Sequence, residues 1–179
     1  MSTVMTKNHE IENGFRFKCR TCGEEHEGAP SFSFEAPIYY EILTSEEKRE
    51  KARLGTDFCV IDENHFFIRA LLEIHIHGSD EPFLWGVWVS VSQDNFKKYY
   101  EHFGDSYYED EYFGWFSNKL PYYPDTLNIK TYARVKPDGQ RPKLELEPSD
   151  HPLSVDYYKG ISWQKAVGIA EAAIHSDTS

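Results

Sequence analysis

The segment HFFIRALLEIHIH, residues 65–77, decides the fold. Its apolar residues recur with period two. Phe66, Ile68, Ala70, Leu72, Ile74 and Ile76 share one face, and His65, Phe67, Arg69, Leu71, Glu73, His75 and His77 share the other. A helix would scatter the first set around its circumference, whereas a strand gathers it on one side. The run Gly78-Ser79-Asp80-Glu81-Pro82 is a turn. FLWGVWVSVS, residues 83–92, follows and is apolar on both faces, which places it as a central strand covered on both sides.

Working outward, Ser92 is placed to cap a helix over residues 93–103 that ends at Gly104, with Phe96, Tyr99, Tyr100 and Phe103 turned to the sheet. YFGWF, residues 112–116, reads as a short strand, and NKLPYYPDT as a proline-rich connection. LNIKTYARV alternates again, with Leu127, Ile129, Thr131, Ala133 and Val135 inward. Pro137-Asp138-Gly139-Gln140 turns it into RPKLELE as a hairpin. SDHPLSVDYYKG reads as irregular, and Ser162 caps a last amphipathic helix, SWQKAVGIAEAAIH. Nearer the start, Thr44 and Glu47 have capping-box spacing for the charged helix SEEKREKARL, with Gly55 as its stop. Phe15 to Lys18 is a short strand. The expectation is an α+β fold, a mostly antiparallel sheet of five or six strands with about three helices. It is one domain over residues 15–175, behind a flexible N-terminus of residues 1–14.

Composition excludes several classes of function. The 179 residues carry 19 basic and 30 acidic side chains, a formal charge of −11. That balance argues against general nucleic-acid binding, which needs cations to displace counterions. No run of some 18 apolar residues exists, so no membrane span is expected. MSTVMTKNHEIENG has no apolar core of a secretory signal, which points to the cytoplasm.

The chain has three cysteines, Cys19, Cys22 and Cys59. An odd count without a secreted context does not make a disulfide framework. Cys19 and Cys22 form a C-x-x-C followed by Gly23 and His26. Such a turn aims two thiolates at one point, and the glycine lets backbone N–H groups face sulfur without steric cost. Two further soft donors would close a tetrahedron around zinc. Cys59, in the strand-like DFCVID, and His26, just past the turn, are the candidates, with His65 and His9 behind them. The expected site is Cys19, Cys22, His26 and Cys59 holding a structural zinc in a knuckle-like turn. Reduced inert thiols or a redox pair are the competing readings, the latter disfavoured because Gly23-Glu24-Glu25-His26 reads as a turn where a redox motif would start a helix.

The segments CRTCGEEHEGAP, DFCVID, FFIRALLEI, WGVWVSVS, FGWFSNKLPYYPDTLNIK and RPKLELEPSDHPLSVDYYKGIS together resemble a bacterial family, domain of unknown function 2199. The resemblance runs from about Phe17 to the last helix. It implies a bacterial cytoplasmic protein with the Cys19/Cys22 pair, His26 and Cys59 among the family's positions. It brings no activity, substrate or catalytic residue, and it leaves His75 and His77 outside the pattern.

Other side chains carry weaker chemistry. Glu73, His75 and His77 at alternate positions could chelate a metal, but read more simply as a polar strand face. Asp150, His151, Asp125 and Cys59 invite a nucleophile–base–acid arrangement, whereas Asp and His before Pro152 fit a turn. Trp85, Trp88, Trp115, Tyr122 and Tyr123 are assigned to the core rather than to a ligand pocket. Arg69 needs a carboxylate, Glu73 or Asp57, unless it anchors an anionic ligand. Tyr107, Tyr108, Glu109, Asp110 and Glu111 interleave acids with tyrosines, which suits capture of a basic protein partner, as an immunity protein does with a cationic toxin. The function expected is a zinc-stabilised, non-enzymatic binding module; the alternative is a small zinc-dependent hydrolase.

Overall fold

A computed structural model describes residues 14–176. The expectation for residues 1–14 therefore falls, Gly14 apart, outside the described residues, as does His9. The described residues form ten strands and five helices. An N-terminal hairpin pairs β1 (Arg16–Lys18) with β2 (Glu25–Glu27). Then come β3 (Ser31–Ser33), α1 (Ile38–Glu41), α2 (Ser45–Lys51), β4 (Ala52–Leu54) and β5 (Phe58–Ile61). The two strands read first from the sequence are β6 (His65–Ile74) and β7 (Phe83–Val91), antiparallel in register Phe66↔Val91 through Ile74↔Phe83. The chain continues through α3 (Gln93–Glu101), β8 (Asp110–Phe116), β9 (Lys130–Val135) and β10 (Lys143–Leu146) to α4 (Pro152–Lys159) and α5 (Trp163–Ile174).

The fold is α+β, with more strands and helices than the sequence predicts. Its centre is a closed five-strand barrel in the order β7-β8-β9-β10-β6, with β6 pairing back to β7. Closure comes from one parallel contact, Lys143↔Leu71, reinforced by Leu71 N–H donating to Pro142 O at 2.9 Å. β5 and β4 extend the sheet beyond β6, and β3 adds in parallel to β7. The period-two face of β6 behaves as its alternation requires. Ile68, Ala70, Leu72 and Ile74 are fully buried together with Val87, Val89, Phe116, Ala133 and Leu144. On the opposite faces of the same strands, Phe67 and Trp88 join Cys59 and Ile61 in a second core under Tyr39, Tyr40 and Leu43.

Three local expectations are corrected. The helix after Thr44 keeps its capping box but stops at Lys51, because residues 52–54 are drawn into pairing with β5, and Gly55 closes that hairpin by donating to Phe58 O. SDHPLSVDYYKG contains the helix α4, started by Pro152 behind the His151 cap and ended at Gly160. Of the interleaved acids and tyrosines, Tyr107, Tyr108 and Glu109 precede β8, to which Asp110 and Glu111 belong. β6 itself stops at Ile74, while Ile76 bridges in parallel to Ile161.

Gly160 has φ 76° and ψ 174°, a region that essentially only glycine occupies. A Cβ there would lie 2.7 Å from His77 Nε2 and 3.0 Å from His75 O. Gly160→Ala is expected to cost about 1–3 kcal/mol, read as a lower midpoint in thermal or denaturant unfolding. An unchanged midpoint would contradict this placement of the α4–α5 junction.

Candidate metal centre

Sequence-local geometry builds the first three donors. Cys19 directly follows β1 and opens a tight turn in which Gly23 N–H donates to Cys19 O at 2.9 Å and Cys19 N–H to Glu24 O at 2.8 Å. Gly23 carries φ 77°, the left-handed conformation that reverses the chain between the two cysteines and β2. His26 lies on β2 opposite Phe17, and the two rings are 5.6 Å apart. The turn thus folds Cys19, Cys22 and His26 onto one side of the hairpin.

The fourth donor comes from the other end of the chain. α5 buries Ala166, Ile169, Ala170 and Ala173, a helical stripe of small and branched residues that lets it approach the core closely. The hairpin docks along this helix. Phe15 packs on Trp163, ring centroids 5.0 Å apart, and Arg20 donates from both its backbone N–H and its Nε to the Glu171 carboxylate, the latter at 3.1 Å. Glu171 is buried although charged, and Arg20 is what balances it. One turn later, His175 caps the helix C-terminus and meets the cysteines.

One donor atom each from Cys19, Cys22, His26 and His175 lies within 4.8 Å of all the others. Cys19 Sγ is 3.2 Å from His175 Nε2, and Cys22 Sγ is 3.3 Å from His26 Nε2. With Zn–S near 2.3 Å and Zn–N near 2.0–2.1 Å, a tetrahedral S···N edge is about 3.5 Å. The two observed edges are near that value, so the group fits a tetrahedral zinc. Burial acts to raise the Cys19 thiol, but backbone N–H groups of Cys22 and Thr21, with the His175 ring and the Cys22 side chain, outweigh it and lower the thiol to about 6. Such N–H···S support is what the glycine-containing turn was expected to supply. Two thiolates and two neutral imidazoles carry charge −2, which a divalent cation neutralises, and the helix C-terminus adds favourable negative potential.

Cys59 is not part of this group, which corrects the expected ligand set. It is fully buried in the second core beside Ile61, Phe67 and Trp88. Burial pushes its thiol up to about 12, so it stays neutral and behaves as a small hydrophobe. His65 begins β6, is exposed and does not belong to the group. His175, the donor that the sequence reading missed, stood in plain view as the residue that closes the last helix. Its partner Cys19 is 156 positions away, and no local spacing rule reaches that far.

The other candidates resolve into structural roles. Glu73 pairs with Lys143 at 2.8 Å, and His77 Nε2 bonds Lys159 O at 2.8 Å. His151 Nδ1 accepts from Leu153 N–H at the start of α4, which leaves Nε2 to donate to Asp125 O at 3.0 Å. Neither the Asp57 nor the Glu73 carboxylate pairs with the Arg69 guanidinium, although the Arg69 backbone N–H donates to the Asp57 backbone carbonyl at 3.0 Å. Asp57 is held by Arg141 at 3.1 Å, while Arg69 donates to Thr56 O, approaches Glu35 at 4.0 Å and lies over the Trp88 ring. Burial and the nearby Arg141 lower the pKa of Arg69. In the acidic segment, Tyr108 stacks on His102 and bonds Asp110 and Tyr112, and Glu111 pairs with Arg134 at 3.3 Å. Tyr107 is 98% exposed, and Glu109 is exposed beside it.

Fold and site together define a small α+β barrel protein whose N-terminal hairpin and C-terminal helix converge on a Cys₂His₂ group. Residues 18–161 match the family model described as an uncharacterized protein conserved in bacteria, domain of unknown function 2199. The match takes in most of the chain, and the chain belongs to that family. Cys19, Cys22 and His26 fall within the matched residues and His175 beyond them. No curated protein and no solved structure matches the chain. No helix among the described residues is long and apolar enough to cross a membrane.

Proposed function

We propose that this protein is a zinc-stabilised binding module in which Cys19, Cys22, His26 and His175 hold one structural zinc. The observation that carries the reading is the convergence of four soft donor atoms within 4.8 Å of one another, contributed by both ends of the described chain. Four protein donors satisfy tetrahedral zinc and leave no position for water, which favours a structural over a catalytic ion. The zinc-hydrolase alternative needs an open coordination position and a free carboxylate base, and the buried acid one turn before His175, Glu171, is committed to Arg20.

Metal analysis of purified wild-type and variant proteins tests this directly. Wild type is expected to carry one zinc per chain, Cys22→Ser and His175→Ala about a tenth of that or less, and Cys59→Ala the full complement. Zinc lost on Cys59→Ala, or retained in both other variants, would overturn the assignment.

For the binding role, the loop before β8 is read as facing a basic protein. Tyr107 offers a rigid aromatic surface almost wholly exposed among the described residues, and Glu109 adds charge to a protein already at −11. Glu109→Lys is expected to slow association with a basic protein at low salt without moving the melting temperature. An unchanged on-rate removes the loop from the account.

A further inference from the structure

Among the described residues the sheet ends at β4, which has a neighbour on one side only. In its antiparallel pairing with β5, Lys51 O accepts from Asp62 N–H and Gly55 N–H donates to Phe58 O. Ladder bonds alternate along a strand, so Lys51, Arg53 and Gly55 turn their backbone groups to β5 and Ala52 and Leu54 turn theirs outward. Beside this open edge lies a groove of about 700 Å³ between β4–β5 and α3. Leu54, Phe58, Val60, Phe96 and Tyr100 line it, and Tyr100 is 63% exposed. Its one charged side chain is Arg53, which makes no ion pair among the described residues. No carboxylate lines the groove, although the chain as a whole carries 30 acidic residues against 19 basic.

We propose that β4 receives an extended acidic peptide as an added strand. The peptide backbone would pair with Ala52 and Leu54, and a carboxylate would face Arg53. A large apolar side chain two residues along would pass over Gly55 into the groove against Phe58 and Tyr100. Strand addition takes affinity from main-chain bonds and specificity from alternate side-chain pockets, and this edge supplies both within one register. A charge on an edge strand can also serve only to prevent self-pairing. An aromatic groove continuous with the edge has no part in such protection. The surface is separate from the metal group, so the proposal does not rest on zinc.

The test uses full-length protein and a fluorescein-labelled peptide with phenylalanine, aspartate and glutamate at alternate positions and threonine between them. Fluorescence polarisation is expected to show saturable binding below about 1 mM, and a lysine-for-acid version of the peptide should bind about tenfold or more weakly. Leu54→Pro removes an outward N–H while sparing the bonds to β5, and should weaken binding about tenfold. Gly55→Leu fills the groove, since a Cβ there meets only Phe58 O at an ordinary 3.6 Å, and should weaken binding similarly without altering the melting temperature. No saturable binding, equal affinity for the lysine peptide, or full affinity in both variants would overturn the proposal.

Discussion

Stripping zinc with a chelator lowers the melting temperature of this protein by about 8–16 °C on the present account. The figure follows from linkage. A ligand held at a thousand times its dissociation constant stabilises the native state by about 4 kcal/mol, and at this chain length each kcal/mol is about 2–4 °C. The loss falls on a defined part of the molecule. The hairpin of β1 and β2 is short, with only Phe15, Phe17 and Cys19 in the core, and it is held to α5 by the Phe15–Trp163 contact, the Arg20–Glu171 pair and the metal donors. The barrel carries its own core, so the apo protein should stay folded while amides of residues 16–27 and of the last turn of α5 exchange faster with solvent. A melting temperature indifferent to chelator, with hairpin amides still protected, would show that the ion contributes nothing to the fold.

Asn118→Leu is expected to be as damaging by an unrelated route, while leaving zinc content untouched. Asn118 is buried in the connection after β8. Its Oδ1 accepts the Trp88 backbone N–H at 2.7 Å, and its Nδ2 donates to Ala36 O at 2.9 Å. One amide thus ties the segment between β3 and α1 to barrel strand β7. Leucine of similar size fills the space and leaves a buried N–H and a buried carbonyl without partners, at about 1–3 kcal/mol each. An unfolding free energy reduced by about 2–6 kcal/mol, with one zinc still bound, is the result to look for. Parallel loss of metal and stability would mean that the two regions unfold together.

Most of the barrel was legible because its strands obey a short-range rule. Period two in residues 66–76 and the doubly apolar run at 83–91 place β6 and β7 with no knowledge of what they pack against. What closes the barrel was not legible. The parallel meeting of Lys143 with Leu71 joins segments that no turn connects, and its sequence signal is only that LELE is short and alternating. Helix α4 escaped because Pro152, Ser154 and Asp156 read as turn residues, although Pro at the first helical position and Gly past the last are helix boundary signals. The same division runs through the candidate metal site. Cys19, Cys22 and His26 are gathered by one turn and one hairpin, so spacing finds them. His175 is delivered by the packing of α5, and Cys59 was drawn into the prediction because a strand cysteine can equally be a ligand or a hydrophobe. Burial beside Trp88, with a thiol pushed up to about 12, decides for the hydrophobe.

The central claim is a four-donor zinc shared between the ends of the described chain. Zinc-edge X-ray absorption on the protein as purified reads that shell most directly. The account predicts two sulfur scatterers at about 2.3 Å and two imidazole nitrogens at about 2.0–2.1 Å, with a zinc edge reduced to about a tenth in His175→Ala. A three-sulfur shell including Cys59, an oxygen-rich shell with open positions, or no zinc would contradict it.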